Sequence, residues 1–348
     1  MTGKTTMRAM LLTGFGGPEK LAYRTDVAVP IPKSGDVLVQ VGACGVNNTD
    51  VWTREGAYGS DEQLGWQGGA FQFPRIQGAD TVGRIVEVGE KVSQDRLGER
   101  VMVNPTIYPD TDNALFDATY LGSEFDGGFA EYVCVPSANA HVIESGLSDA
   151  QLATFMTSYL TAEHMLNRAA VKAGETVLVT GASGGVGSAL VQLAGVRGAR
   201  VVAIVGRGKE AQLADFGVTG VLFRDEGDQI SSLRKQTGKD TVDVVADIVA
   251  GESVAGLMEM LRVGGRYVTA GAIAGAQVVL DWRKLYLKHL TLLGSTMGTQ
   301  EEFRQIVAYV EAGKLKPLLS ATYALEQLCQ AQLDFKRKTH FGKLAIIP

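Results

Sequence analysis

Along residues 1–150, apolar side chains come in short alternating or continuous blocks. Val37-Leu38-Val39-Gln40-Val41, the stretch 83–89 (GRIVEVG) and Arg100-Val101-Met102-Val103 are separated by Gly, Pro, Asp and Asn. Short apolar blocks between turn formers read as strands, so this part predicts a small, mostly β domain. Two polar, turn-rich segments, 54–74 and 104–128, predict long loops of the kind that often carry function. From about residue 150 the rhythm changes. Strands are predicted at 176–180 (TVLVT), 200–205 (RVVAIV), 242–248, 266–270 and 290–294, with helices at 186–197, 209–216 and 252–262 between them. An amphipathic helix at 301–312 and a short strand-like C-terminus close the chain. Strands alternating with helices at this spacing imply right-handed crossovers and a parallel sheet covered on both faces. The expected fold class is α/β: a mostly β domain plus a doubly wound parallel sheet.

The chemistry begins at the turn Gly181-Ala182-Ser183-Gly184-Gly185-Val186-Gly187, between a predicted strand and a predicted helix. Backbone amides at a helix N-terminus hold a pyrophosphate, and glycines let the backbone come close to it. Flanking strand, helix and next strand make this a dinucleotide-binding expectation rather than a bare glycine run. Ser183, Gly184, Gly185 and Val186 are the expected phosphate contacts, and Gly271, just past the strand at 266–270, joins the cofactor set. Cofactor choice is read at the end of the second strand, where an acid would hold a ribose 2'-hydroxyl. This chain reads Val205-Gly206-Arg207-Gly208-Lys209 there. A small residue leaves room for a 2'-phosphate, and Arg207 and Lys209, with Arg224 past the third strand, would bind it by charge-assisted hydrogen bonds. The expected cofactor is therefore NADPH. Residues 180–187 also fit the glycine pattern of short-chain dehydrogenases. That reading fails because the motif lies mid-chain and no tyrosine is followed four positions later by lysine.

Composition narrows the field. The chain of 348 residues is long enough for two domains. Its net charge of -5 excludes a general nucleic-acid binder, which needs a basic face. The three cysteines, Cys44, Cys134 and Cys329, form no C-x-x-C pair, so neither a disulfide framework nor a zinc knot is expected. No apolar run reaches the roughly 18 residues of a membrane span, and residues 1–10 lack a signal-like apolar core. A cytoplasmic enzyme is the expectation.

Several motifs in order carry a resemblance over nearly the whole chain: Met7-Arg8-Ala9-Met10, Gly42-Ala43-Cys44-Gly45-Val46-Asn47-Asn48-Thr49-Asp50, Gly78-Ala79-Asp80-Thr81-Val82-Gly83, Asp126-Gly127-Gly128-Phe129-Ala130-Glu131-Tyr132, Thr161-Ala162, the glycine turn, and Phe341-Gly342-Lys343-Leu344. On these the chain resembles the medium-chain dehydrogenase/reductase superfamily, in its zinc-free quinone oxidoreductase-like branch. The resemblance implies a GroES-like catalytic domain (1–155), a Rossmann NADP-binding domain (156–295) and a C-terminal return to the first domain (296–348), with the active site in the cleft between domains. It also implies a homodimer, formed through a β-rich segment at 278–294.

Zinc-dependent members of the superfamily have cysteine where this chain has Asn47 and histidine where it has Ala79, and 151–160 contains no Cys, His, Asp or Glu. A catalytic zinc needs about three such ligands, so no metal is expected. Without one, conjugate reduction of an activated C=C bond, or quinone reduction, is easier than reduction of an isolated ketone. The expected function is NADPH-dependent reduction of a quinone or α,β-unsaturated carbonyl. A metal-free alcohol dehydrogenase or ketone reductase of the same fold, and a non-catalytic NADPH-binding protein, are the alternatives. By motif position the resemblance implies Asn47, Asp50 and Tyr58 as pocket residues: Asn47 as an amide donor to a carbonyl or a cofactor hydroxyl, Tyr58 as proton donor or stacking surface. Trp52 stands where the branch often has a further tyrosine. Asp50 and Asp80 also read as turn-capping residues, and Tyr159 as an alternative proton donor. Tyr58, Trp66, Phe71 and Phe73 in the segment 54–73 predict an aromatic lid over a bulky apolar substrate, or else an aromatic cluster packed under a loop.

Overall fold

A computed structural model describes residues 4–57 and 71–348. The chain divides into two compact units, Met1–Thr157 with Phe303–Pro348, and Ser158–Glu302. The chain passes back into the first unit at 302/303. The physical reason lies in the helix Gln300–Glu311, whose Phe303, Ile306, Val307 and Val310 are buried. Its Phe303 ring packs 4.9 Å from His141 of the first unit's own β framework.

The first unit is built on a seven-stranded sheet. Its path runs Ala140–Val142, Arg100–Val103, Asp80–Val88, Asp36–Gly45, Lys343–Ile347, Leu319–Ala324, with Tyr132–Pro136 also paired to Asp36–Gly45. Pairing is antiparallel except between the last two strands of the path. A smaller sheet orders Leu21–Ala28, Thr6–Leu12 and Arg75–Ile76. The predicted blocks at 37–41, 83–89 and 100–103 coincide with these strands, give or take a terminal residue, and Val37, Leu38, Val39 and Val41 all join one continuous core with Ile85, Phe129, Val133 and Ile346. Strand register places Gly45 opposite Asp80 on one side and opposite Ala345 on the other. The C-terminal strand therefore lies beside the segment that leads into Asn47.

The second unit is a six-stranded parallel sheet in the order Gly220–Phe223, Arg200–Val205, Thr176–Val179, Val242–Asp247, Leu261–Thr269, Thr291–Gly294. The order reverses at Thr176–Val179, the arrangement that creates a nucleotide crevice at the C-terminal ends of the strands. Burial on both faces explains the near-continuous apolar strands. Two local expectations are corrected. The stretch 209–216 is a 3-10 turn, Ala211–Phe216, closed by Gly217 in a left-handed conformation. The segment 278–294 is not β-rich: it holds the helix Trp282–Leu287, started by Asp281, whose side chain accepts from the Arg283 amide, and only Thr291–Gly294 is strand. Helices at Met156–Arg168, Gln229–Thr237 and Leu328–Arg337 were not predicted.

Candidate functional sites

In the second unit the glycine turn follows Thr176–Val179 directly and opens the helix Gly185–Val196. Gly181 is left-handed (φ +58), and a Cβ at Gly187 would stand 2.1 Å from the Gly181 carbonyl oxygen. Only glycine lets this helix start so close to the turn. Gly184 N–H is tied to the Gly181 carbonyl at 2.9 Å, and Ser183, Gly184, Gly185 and Val186 are all half-buried at the helix start. Gly206 follows Arg200–Val205, so no acid stands at that strand end. The Arg207 guanidinium lies 4.4 Å from the Phe223 ring centroid and pairs with Asp225 at 3.1 Å. Burial, and secondarily the nearby Arg224 charge, hold the Lys209 ammonium below its ordinary pKa. An Arg224 nitrogen would lie 3.7 Å from a Cβ at Gly206. Arg207, Lys209 and Arg224 thus gather near Gly206, with Arg207 already paired to Asp225. Gly271 is packed against the loop after Val242–Asp247, since a Cβ there would lie 2.9 Å from the Ile248 carbonyl oxygen. With Ala250, Tyr267 and Leu292 it lines an apolar cavity of about 290 Å³.

That loop is set by a buried carboxylate which the sequence pattern passed over. Asp247 is fully buried and accepts from Val249 N–H (2.8 Å), Ala250 N–H (3.1 Å) and the hydroxyls of Thr180 and Tyr267. Burial, reinforced by the Asp247 charge, pushes the Tyr267 hydroxyl well above its ordinary pKa. The available signal was an acid ending an otherwise apolar strand. Tyr159 is also buried, and its hydroxyl accepts from Gln192 at 2.7 Å. Burial raises its pKa strongly, which leaves it a poor acid.

In the first unit, Asn47 precedes the short helix Asn48–Arg54, and its N–H donates to Asp50 Oδ2 at 2.7 Å. Asp50 is buried; desolvation is the largest influence on it, and its pKa is pushed up to about 7. Its immediate role is to fix the start of this helix. Gly78 is left-handed (φ +101), and any side chain there would strike Cys44 Sγ and Phe129 N, so the chain turns tightly just before Asp80. The centre of the cluster is Lys343, 3% exposed. Its ammonium donates to Asp80 Oδ2 at 2.8 Å and to Asn47 Oδ1. Asp80, fully buried, accepts on its other oxygen from the Thr157 N–H (2.9 Å) and hydroxyl. Asn47 Nδ2 is buried and has no hydrogen-bond partner among the described residues. Leaving such a donor unmade costs about 1–3 kcal/mol, which makes it an unusual feature in a fully packed region.

Asn47 and Asp50 thus share one cluster, joined by Asp80, Thr157 and Lys343. Sequence reasoning took Lys343 only as part of a motif. The signal was a lysine leading the buried apolar run Leu344-Ala345-Ile346. Tyr58 and Trp66 lie outside the described residues. Phe71 and Phe73 pack with Phe15, at centroid distances of 5.8 and 4.8 Å, against the core of the first unit.

The comparisons agree with this architecture. Residues 33–145 match the alcohol dehydrogenase GroES-like domain, and residues 185–312 match the zinc-binding dehydrogenase family. A quinone oxidoreductase of Homo sapiens is 32% identical over 339 residues, 95% of this chain and 94% of that protein. An NAD-dependent alcohol dehydrogenase of Sulfurisphaera tokodaii is 30% identical over 98% of this chain and all of that one. A crystal structure from Sinorhizobium meliloti, provisionally assigned as an alcohol dehydrogenase, is 52% identical with a TM-score of 0.95, covering 99% of this chain and 97% of that one. The chain belongs to the medium-chain dehydrogenase/reductase superfamily and is an oxidoreductase by family.

One family name refers to zinc, and the residues here do not fit that metal. Among the described residues no group of three or more His, Cys, Asp or Glu could hold a metal ion. The donor chemistry carries the point. Asn47 and Ala79 are not zinc donors. Asp80 is saturated by Lys343 and Thr157, and an ammonium fixed beside Asn47 repels a second cation. The Cys44 thiol is fully buried, and burial with the Asp50 and Asp80 charges holds it well above its ordinary pKa.

Proposed function

We propose that this chain is a zinc-independent, NADPH-dependent reductase of quinones or α,β-unsaturated carbonyls. The buried Lys343–Asn47–Asp80 cluster carries the reading: at the level of the sheet where relatives with the cysteine and histidine motif hold a metal, this chain has a fixed ammonium and an amide donor. The cations around Gly206 support NADPH over NADH. Ser183, Gly184, Gly185 and Val186 would hold its pyrophosphate, Arg207, Lys209 and Arg224 its 2'-phosphate, and Gly271 would border it. The chemistry NADPH supplies when bound is a hydride. Asn47 Nδ2 donates a hydrogen bond to the carbonyl oxygen of the substrate, where negative charge collects as the β-carbon is reduced. Asp50 keeps Asn47 at the head of its helix, and Tyr58 is proposed as proton donor or stacking surface. The names of the relatives also keep a metal-free alcohol dehydrogenase in view as a second reading.

The protein is proposed to act as a homodimer in the cytoplasm. The strand Thr291–Gly294 ends its sheet, and beside it Val279 (94% exposed), Trp282, Tyr286 and Leu287 present apolar surface. Its three cysteines are free thiols, as a reducing compartment would leave them. Among the described residues no helix is long and apolar enough to cross a membrane.

The test is oxidation of NADPH and NADH against a panel of enones, quinones and simple ketones, with metal analysis of the same preparation. Turnover of enones or quinones with NADPH, without stoichiometric zinc, is expected. Turnover confined to ketones and alcohols favours the second reading. Stoichiometric zinc, or tight NADPH binding with no turnover on any class, overturns the proposal.

A further inference from the structure

An ammonium has three donors and no acceptor. Lys343 Nζ beside Asn47 therefore fixes which way the carboxamide points: Oδ1 toward the lysine, Nδ2 away from it. Asp80 fixes the lysine in turn, and Thr157 fixes Asp80 through two donors. Asn47, Lys343 and Asp80 are buried and Thr157 is half-buried, and at the far end Asn47 Nδ2 has no hydrogen-bond partner among the described residues. With one of its three donors on Asp80, the buried ammonium needs a further acceptor, and Asn47 Oδ1 supplies it, which couples the carboxamide to the ion pair. An amide that gives its oxygen to a cation is also polarised, and its N–H bonds become stronger donors in a low-dielectric site.

We propose that Lys343 is the positioning residue of the reaction: through Asn47 Oδ1 it locks and polarises the carboxamide, so that Asn47 Nδ2 stabilises the oxyanion of the substrate. This inference rests on the conjugate-reduction reading. In that step the hydride brings two electrons to the β-carbon. The C=C pair shifts toward the carbonyl, giving an enolate whose negative charge lies on oxygen. No proton leaves Asn47 or Lys343; both remain hydrogen-bond donors while the charge forms, and the α-carbon is protonated afterwards by solvent or by a side chain other than these two. Lys343 thus does by electrostatics, at one remove, part of what a metal does directly in relatives that have one.

The experiment is a double-mutant cycle on kcat, on a substrate the wild type has been shown to turn over. Loss of one oxyanion donor lowers kcat by about 100- to 1,000-fold in well-studied enzymes, and a donor that is misdirected rather than lost is expected to fall by about 10- to 100-fold. Lys343→Met should do this with KM changed by less than about threefold. In an Asn47→Ala background the same substitution should have no further effect on kcat, because its route to the substrate is gone. Asn47→Asp keeps the acceptor for Lys343 and removes the donor, so it should match Asn47→Ala. Since Lys343→Met leaves Asp80 buried without its cation, the paired variant Asp80→Asn/Lys343→Met is measured beside it. That variant removes both charges, keeps an acceptor for Thr157, and should fold, bind NADPH as the wild type does and show the same fall in kcat. Additive effects of Lys343→Met and Asn47→Ala overturn the inference, as does loss of thermal stability with kcat within threefold of wild type. Those failures leave the proposed function intact, whereas a wild type inactive on every enone and quinone overturns both.

Discussion

Asp50 shows how one buried carboxyl ties the stability of the first unit to pH. Desolvation dominates and lifts its pKa from 3.8 to about 7, the charge of Asp80 adds to the rise, and the Asn47 amide and Lys343 oppose it. In the folded protein the group keeps its proton up to about pH 7, while in the unfolded chain it releases the proton near 3.8. Between those values the unfolded state binds fewer protons, so this group's contribution to stability declines as pH rises from about 4 to about 7. Asp50→Asn keeps an acceptor for the Asn47 amide and removes the titration. Its melting temperature should improve relative to wild type as pH is raised from about 5 to 8. Parallel melting curves across that range would show that Asp50 does not titrate as described. Asn47 itself was legible from its motif position. Its orientation was not, because that depends on a lysine 296 positions away.

Among the elements, the glycine turn and the helix it opens were the most legible, since every feature that makes them work is local. A run of four buried residues, Thr176–Val179, the left-handed Gly181 and the helix start succeed one another in sequence. Gly187→Ala is the sharp test. The added methyl meets the Gly181 carbonyl oxygen at 2.1 Å, backbone against backbone. Relieving the contact moves the helix start, at a cost of about 1–3 kcal/mol in stability. The amides at 184–186 would move with it, so NADPH affinity, measured by fluorescence titration, should fall by at least about tenfold. Unchanged affinity would separate the turn from cofactor binding. The segment 278–294 misled because Val278, Val279 and Leu280 have β-branched and apolar character while the next helix begins at a cap, Asp281, only one residue further on. Propensity in a short apolar run does not distinguish the two states.

At the scale of the whole molecule, the parallel sheet ends on Thr291–Gly294, and the exposed side chains of Val279, Trp282 and Leu287 flank that end. A dimer closed there would cover both the strand edge and the apolar surface. Light scattering should give twice the mass of one chain for the wild type, and a single-chain mass for Val279→Asp/Trp282→Glu with its sheet intact by circular dichroism. A wild type that is monomeric at micromolar concentration would send the explanation of this surface elsewhere. The doubly wound sheet was readable because its strands alternate with helices in order along the chain. The β unit was readable only as strands, because its order, with Lys343–Ile347 inserted between Asp36–Gly45 and Leu319–Ala324, obeys no sequential rule.

What the amino-acid sequence determined by itself was local and chemical: the glycine turn between a strand and a helix, the absence of an acid at Gly206, and the cations Arg207, Lys209 and Arg224. Each comes from residue type and near-neighbour spacing, which backbone periodicity and side-chain chemistry translate directly. The tertiary structure alone decided that Lys343 stands against Asn47 and Asp80, and that Asp247 holds the loop beside Gly271. Those contacts are set by which strands pair and in which register. Pairing between residues 263 and 296 positions apart is chosen by the packing of a whole core, not by any pattern within a single element.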